Sequence, residues 1–145
     1  MSKQEHYFLY FDGCSKGNPG IAGCGAVLYD NFQNELWSGS LFVSKYATNN
    51  VAEYKGLIFG LQKILEYNKN ELEEKNKIKH ITVNGDSLLV IKQMKREWKV
   101  KDEKMVELHR EAKELELHFN KIVYNHVLRD KNKRADELSN KAIIN

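Results

Sequence analysis

The sequence predicts an α/β fold, a five-stranded mixed sheet flanked by helices. Three observations point to it. Three apolar runs follow one another near the N-terminus with connections of only a few residues, the spacing of an antiparallel meander. From about residue 50 the apolar positions switch to helical spacing. Two more strand-like runs then alternate with helical segments, and strand–helix–strand crossovers place those later strands parallel to the first.

Taken in order, residues 5–11 are bulky on both faces, as a central strand is. A glycine-rich turn follows. Residues 23–29 read as the second strand, Asp30-Asn31 begins a turn, and residues 35–43 read as the third. Pro19, the only proline, sits in the first loop, where it removes no ladder hydrogen bond. Val51, Tyr54, Leu57, Ile58, Leu61, Ile64 and Leu65 mark a helix that fades near Tyr67. Gly56 and Gly60 lie about one turn apart in it. Each weakens a helix by roughly 1 kcal/mol relative to alanine, so a close approach to the sheet is the reason expected for them. A polar connection over 68–77 leads to a fourth strand at 78–83 and a short helix at 87–94. A basic loop over 95–104 holds Trp98. An amphipathic helix at 105–117, a fifth strand at 119–128 and a terminal helix at 133–144 complete the chain. No repeat or linker interrupts the pattern, so residues 1–145 are expected to form a single domain.

The 145 residues are 41% hydrophobic and 30% charged, which suits a globular protein rather than a disordered one. No stretch approaches the roughly 20 apolar residues of a membrane span. The first six residues lack the apolar centre of a signal peptide. Cys14 and Cys24 have no CxxC or CxxH arrangement, which argues against zinc. A reducing, cytoplasmic setting is the expectation. The net charge of +3 is mild, but its distribution is uneven. Lys92, Lys95, Arg96, Lys99, Lys101 and Lys104 form one cluster, and Arg129, Lys131, Lys133 and Arg134 another. Either is a solvated face or a contact for nucleic acid.

Four carboxylates stand out: Asp12 in Asp-Gly-Cys-Ser-Lys-Gly-Asn-Pro-Gly, Glu53 in Thr-Asn-Asn-Val-Ala-Glu, Asp86 in Gly-Asp-Ser, and Asp136 in Asn-Lys-Arg-Ala-Asp. Each has a structural use. Asp12 suits an Asx-turn, Asn50 with Glu53 matches a capping box, Asp86 or Ser87 suits a helix cap, and Asp136 suits a helix N-terminus. Together they suggest something else. Asp12 and Asp86 leave the carboxyl ends of neighbouring strands one and four, the edge where open α/β sheets bind ligands. The helix after Asn50 carries Glu53 toward the same edge. Four gathered acids repel one another unless cations lie between them. All-oxygen ligation suits magnesium or manganese. Two such ions about 3.5–4 Å apart hold the attacking water and leaving oxygen of a phosphodiester in line.

The residues that carry these carboxylates resemble ribonuclease H, type 1. The likeness runs through Tyr-Phe-Asp-Gly-Cys-Ser-Lys-Gly-Asn-Pro-Gly at 10–20, Thr-Asn-Asn-Val-Ala-Glu at 48–53, Gly-Asp-Ser at 85–87 and His-Val-Leu-Arg-Asp-Lys-Asn-Lys-Arg-Ala-Asp-Glu-Leu at 126–138. It covers nearly the whole chain, with the motifs in family order. The resemblance implies the ribonuclease H-like fold with strands in spatial order 3-2-1-4-5. It also implies hydrolysis of the RNA strand of an RNA–DNA hybrid to 5′-phosphate and 3′-hydroxyl ends, with two Mg2+ ions as cofactor and Mn2+ as a substitute. Asp12, Glu53, Asp86 and Asp136 match the family's metal-binding carboxylates, Asp12 contacting both ions. His126 stands ten residues before Asp136, where many members place a proton-moving histidine. The His-Val-x-Arg sequence resembles a branch in which the arginine, here Arg129, assists instead.

Telling RNA from DNA requires reading the 2′-hydroxyl through an A-form-like minor groove. By resemblance, the glycine-rich loop from Gly13, with Cys14, Asn18 and Asn49, meets the RNA strand. Thr48 and Asn50 face the DNA strand, Thr48 at a phosphate. Cys14 stands where serine is common, and Leu88 where the family often has glutamine. Trp98 either stacks on a sugar or covers the core. The segment over 92–104 is shorter than the basic handle helix of some relatives, so hybrid binding is expected to be weaker and salt-sensitive. A monomer is expected. The rival readings are a catalytically silent nucleic-acid-binding module of the same fold and a relative that cuts DNA.

Overall fold

Tyr7–Lys16 forms strand β1, and its antiparallel partner β2 (Gly20–Tyr29) pairs in turn with β3 (Glu35–Ala47). The computed structural model describes residues 6–71 and 73–143. Helix α1 (Asn49–Glu71) crosses to β4 (His80–Gly85), which lies parallel to β1. Helices α2 (Leu88–Met94) and α3 (Glu103–Glu116) lead to β5 (Lys121–His126), parallel to β4, and α4 (Lys133–Lys141) follows. The sheet order is β3-β2-β1-β4-β5, the order that the resemblance implies. Among the described residues no helix is long and apolar enough to cross a membrane.

Alternation along β1 divides its side chains between two layers. Leu9 and Phe11 are fully buried in a core shared with Tyr54, Leu57, Leu61 and Ile64 of α1. Phe8, Tyr10 and Asp12 point the other way, where α4 packs on β1 and β2. The glycines of α1 do what their spacing suggests. A Cβ at Gly56 would fall 2.6 Å from the Asp12 carbonyl oxygen, and one at Gly13 would fall 2.2 Å from the Ala52 carbonyl carbon. Backbone therefore meets backbone between α1 and β1, and only glycine on either side permits it.

Several boundaries differ from the sequence reading, each for a local reason. β1 does not stop at residue 11. Its ladder to β2 continues to Lys16↔Ile21, closed by a turn in which Gly17 takes φ +113°. Asp12 thus lies inside β1, but at the point where parallel pairing with β4 ends, at Phe11↔Gly85. α1 runs past Tyr67 because Asn68 pins its last turn. The Asn68 amide donates to the Ile78 carbonyl at 2.9 Å and accepts from the Ile78 N–H at 2.7 Å. That bracket holds Ile78 outside β4, which starts at His80. β5 is shorter than expected and ends at His126. Residues 5 and 144, the expected start of the first strand and end of the last helix, lie outside the described residues.

Candidate metal and catalytic centre

The capping roles open to Glu53 and Asp86 go to other residues. Thr48, not Asn50, caps α1, its Oγ1 accepting from the Val51 N–H at 3.2 Å. The Glu53 carboxylate reaches instead across to β1 and accepts from the Gly13 N–H at 3.1 Å. The capping-box reading of Asn50 and Glu53 is therefore corrected: the close approach of α1 to β1 offers Glu53 a buried donor. Ser87 caps α2, with Oγ 3.2 Å from the Val90 nitrogen, which leaves Asp86 unused by the helix. Asp136 sits in the first turn of α4, whose N-cap residue Asn132 makes no side-chain capping bond. The Asn132 amide donates to the Phe11 carbonyl at 2.9 Å and ties that turn to β1.

Ligand oxygens of Asp12, Glu53 and Asp86 lie within 4.8 Å of one another. Asp136 is outside that triplet but lines the same cavity, about 400 Å³ in volume, with Gly13, Cys14, Asn49 and Arg129. Only 4% of Asp12 and 8% of Glu53 is exposed. Burial, then the charge of Asp86, then the Asp136 carboxyl push Asp12 up to about 7. Burial, then the charges of Asp12 and Asp86, push Glu53 well above the ordinary carboxylate range. Ser139, completely buried on α4, donates its hydroxyl to the Asp136 carbonyl at 2.8 Å, and its Oγ lies 3.2 Å from Asp12 Oδ2. The triplet offers oxygen alone, with neither imidazole nor thiolate, and among the described residues none of its three carboxylates forms an ion pair. Hard divalent cations fit such a donor set.

The other candidate residues divide by location. Asn18, Asn49 and Ser15 brace the cradle beside the carboxylates: Asn18 Oδ1 accepts from the Asn49 N–H at 2.9 Å, and Asn49 Oδ1 from the Ser15 N–H at 2.8 Å. Thr48 and Asn50, with Asn18, line an adjoining cleft of about 870 Å³ between the start of α1 and that of α3. His126 is exposed at the end of β5, opposite Gly85, and does not line the carboxylate cavity, whereas Arg129 does. Trp98 lines a separate cavity with Arg96, Lys99 and His109. Sequence reasoning missed Ser139 and Asn140. The Asn140 amide donates to the Asp136 carbonyl at 2.9 Å and to Asp136 Oδ1 at 3.3 Å. Their spacing of three and four residues from Asp136 was the available signal, since such residues share a helix face.

Residues 10–142 match the family described as "Reverse transcriptase-like". A bifunctional protein of Mycobacterium tuberculosis is 39% identical over 132 residues, covering 91% of this chain but 34% of that protein. This chain thus spans about a third of the first curated relatives it matches. The crystal structure of RNase H1 from Halobacterium salinarum superposes with a TM-score of 0.85 at 35% identity, covering 95% of this chain and 97% of that one. LC11-RNase H1, solved in complex with an RNA/DNA hybrid, gives 0.84 at 34% identity, covering 94% and 96%. The motifs around the four carboxylates, the strand order and these likenesses agree: the chain belongs to the reverse transcriptase-like family, among its ribonuclease HI-like members.

Proposed function

We propose that the protein is an endoribonuclease that hydrolyses the RNA strand of RNA–DNA hybrids, leaving 5′-phosphate and 3′-hydroxyl ends. The observation that carries this reading is the convergence of Asp12, Glu53 and Asp86 within 4.8 Å, with Asp136 on the wall of the same cavity. Asp12, Glu53, Asp86 and Asp136 are the residues that would hold two magnesium ions, with manganese as a substitute. When bound, such a pair supplies an activated water and neutralises charge developing on the phosphodiester.

The chain's own residues do the rest. The Gly13 N–H fixes the rotamer of Glu53, and the Ser139 oxygen packs beside Asp12 Oδ2 while its hydroxyl donates to the Asp136 carbonyl. The braced backbone at Cys14, Ser15, Asn18 and Asn49 presents groups that can read 2′-hydroxyls of the RNA strand. Thr48 and Asn50 take the DNA strand in the adjoining cleft. Arg129, a permanent cation on the cavity wall, stabilises phosphate charge in place of the histidine that assists in many family members. Trp98 makes at most a peripheral contact with the duplex, from its separate cavity. The LC11-RNase H1 complex supports the substrate class. We assign all of residues 1–145 to one ribonuclease H domain, acting as a monomer in the cytoplasm. Incubation with an end-labelled hybrid and magnesium or manganese tests the proposal. Cleavage of the RNA strand is expected, and folded protein that cuts with neither ion contradicts it. Cleavage of duplex DNA in preference would favour the DNA-cutting alternative.

A further inference from the structure

We propose that Asn140 is a positioning residue that couples the substrate cradle to the fourth carboxylate. This rests on the ribonuclease reading and deepens it by naming how the site senses its substrate. Asn140 stands one helical turn beyond Asp136 and lines the carboxylate cavity. Its Nδ2 donates to the Asp136 carbonyl at 2.9 Å and to Asp136 Oδ1 at 3.3 Å. Its Oδ1 accepts from the Lys16 ammonium at 2.9 Å. The amide can face only one way: an ammonium has no acceptor and a carboxylate has no donor.

Lys16 is the last residue of β1, next to Ser15, whose N–H is held by Asn49 at 2.8 Å. One polar contact therefore ties the start of α1 to Ser15, a second set runs from Lys16 through Asn140 to Asp136, and the Ser15–Lys16 peptide bond joins the two. Asp12 and Glu53 are buried, and the Gly13 N–H holds Glu53 in place. Asp136 is half-buried, and the Asn140 amide limits its swing. Hybrid pressing on the end of β1 moves Lys16, and the amide passes that movement to Asp136. Docking and completion of the metal site become one event.

Single-turnover and steady-state kinetics on a hybrid, with thermal melting as a folding control, test this. Loss of a residue that orients a ligand lowers activity or metal affinity by about 10–100-fold. Asn140→Ala is thus expected to lower kcat by about that factor while KM for hybrid stays within about threefold. Asn140→Asp keeps the Lys16 partner but sets an acceptor and like charge against Asp136, so it is expected not to restore kcat. Lys16→Met is expected to give a smaller loss, and the Asn140→Ala, Lys16→Met double variant to be no worse than Asn140→Ala alone, because both act through one contact chain. Calorimetric titration with manganese, without substrate, is expected to show one ion binding about tenfold more weakly to Asn140→Ala. Wild-type kcat and manganese affinity in Asn140→Ala would overturn the proposal. So would restoration by Asn140→Asp, multiplicative losses in the double variant, or a fall in kcat that merely tracks a lowered melting temperature. If the wild type cuts no hybrid, the ribonuclease reading fails, and the manganese titration alone still decides the role of Asn140.

Discussion

Removing the charge of Asp12 is expected to stabilise the cation-free protein while abolishing cleavage. Asp12 is 4% exposed, and its carboxyl is raised from 3.8 to about 7 by burial, then by Asp86 and Asp136. The native state therefore binds a proton that the unfolded chain has already released. The penalty is absent below about pH 4, grows as pH rises and is complete above about pH 7. A shift of about 3 units at 1.36 kcal/mol each sets a ceiling of about 4 kcal/mol. Asparagine keeps the size, and its amide N–H can donate to the Ser139 oxygen, but it buries an amide, so a net gain of about 1–3 kcal/mol is expected. At roughly 2–4 °C per kcal/mol for a chain near this length, Asp12→Asn melts about 2–12 °C above wild type in chelator near pH 8. The gain should shrink toward pH 4, and excess magnesium should raise the wild type far more than the variant, because the ion supplies the missing counter-charge. Equal or lower melting of the variant in chelator, or an advantage independent of pH, would refute the reasoning.

Three further outcomes follow from the same geometry. Gly13→Ala drives a Cβ to 2.2 Å from the Ala52 backbone and is expected to destabilise by about 3 kcal/mol or more, read by urea denaturation. Arg129→Ala is expected to lower kcat at least tenfold or so, as loss of a charge-stabilising donor does, while His126→Ala stays near wild type. The reverse order in steady-state kinetics would return the role to the histidine. Thr48→Ala removes the α1 cap at 3.2 Å, which is expected to lower stability by about 1 kcal/mol and to raise KM for hybrid.

Much of this structure was legible in the chain because its signals are local. The switch from strand runs to helical spacing at residue 50 marks α1, and the short connections before it mark the meander. Gly56 announces the close contact with β1 by its poor helix propensity. What was not legible depends on partners distant in sequence. Nothing near Asp12 reveals that β1 continues to Lys16, since that follows from the ladder to β2. Glu53 looked like a capping residue because its donor, the Gly13 N–H, lies forty positions away. The spacing of Ser139 and Asn140 from Asp136 was a local signal, but their contacts with Asp12 and Lys16 form only when α4 lies over β1. The separation of Trp98 from the carboxylates likewise depends on how the 95–102 loop folds against α3.

Crystals of the protein soaked in manganese and measured by anomalous scattering offer the most direct test of the whole scheme. Two manganese peaks about 3.5–4 Å apart are expected, ligated among Asp12, Glu53, Asp86 and Asp136. An empty carboxylate cavity at saturating manganese, or ions bound only elsewhere, would contradict it.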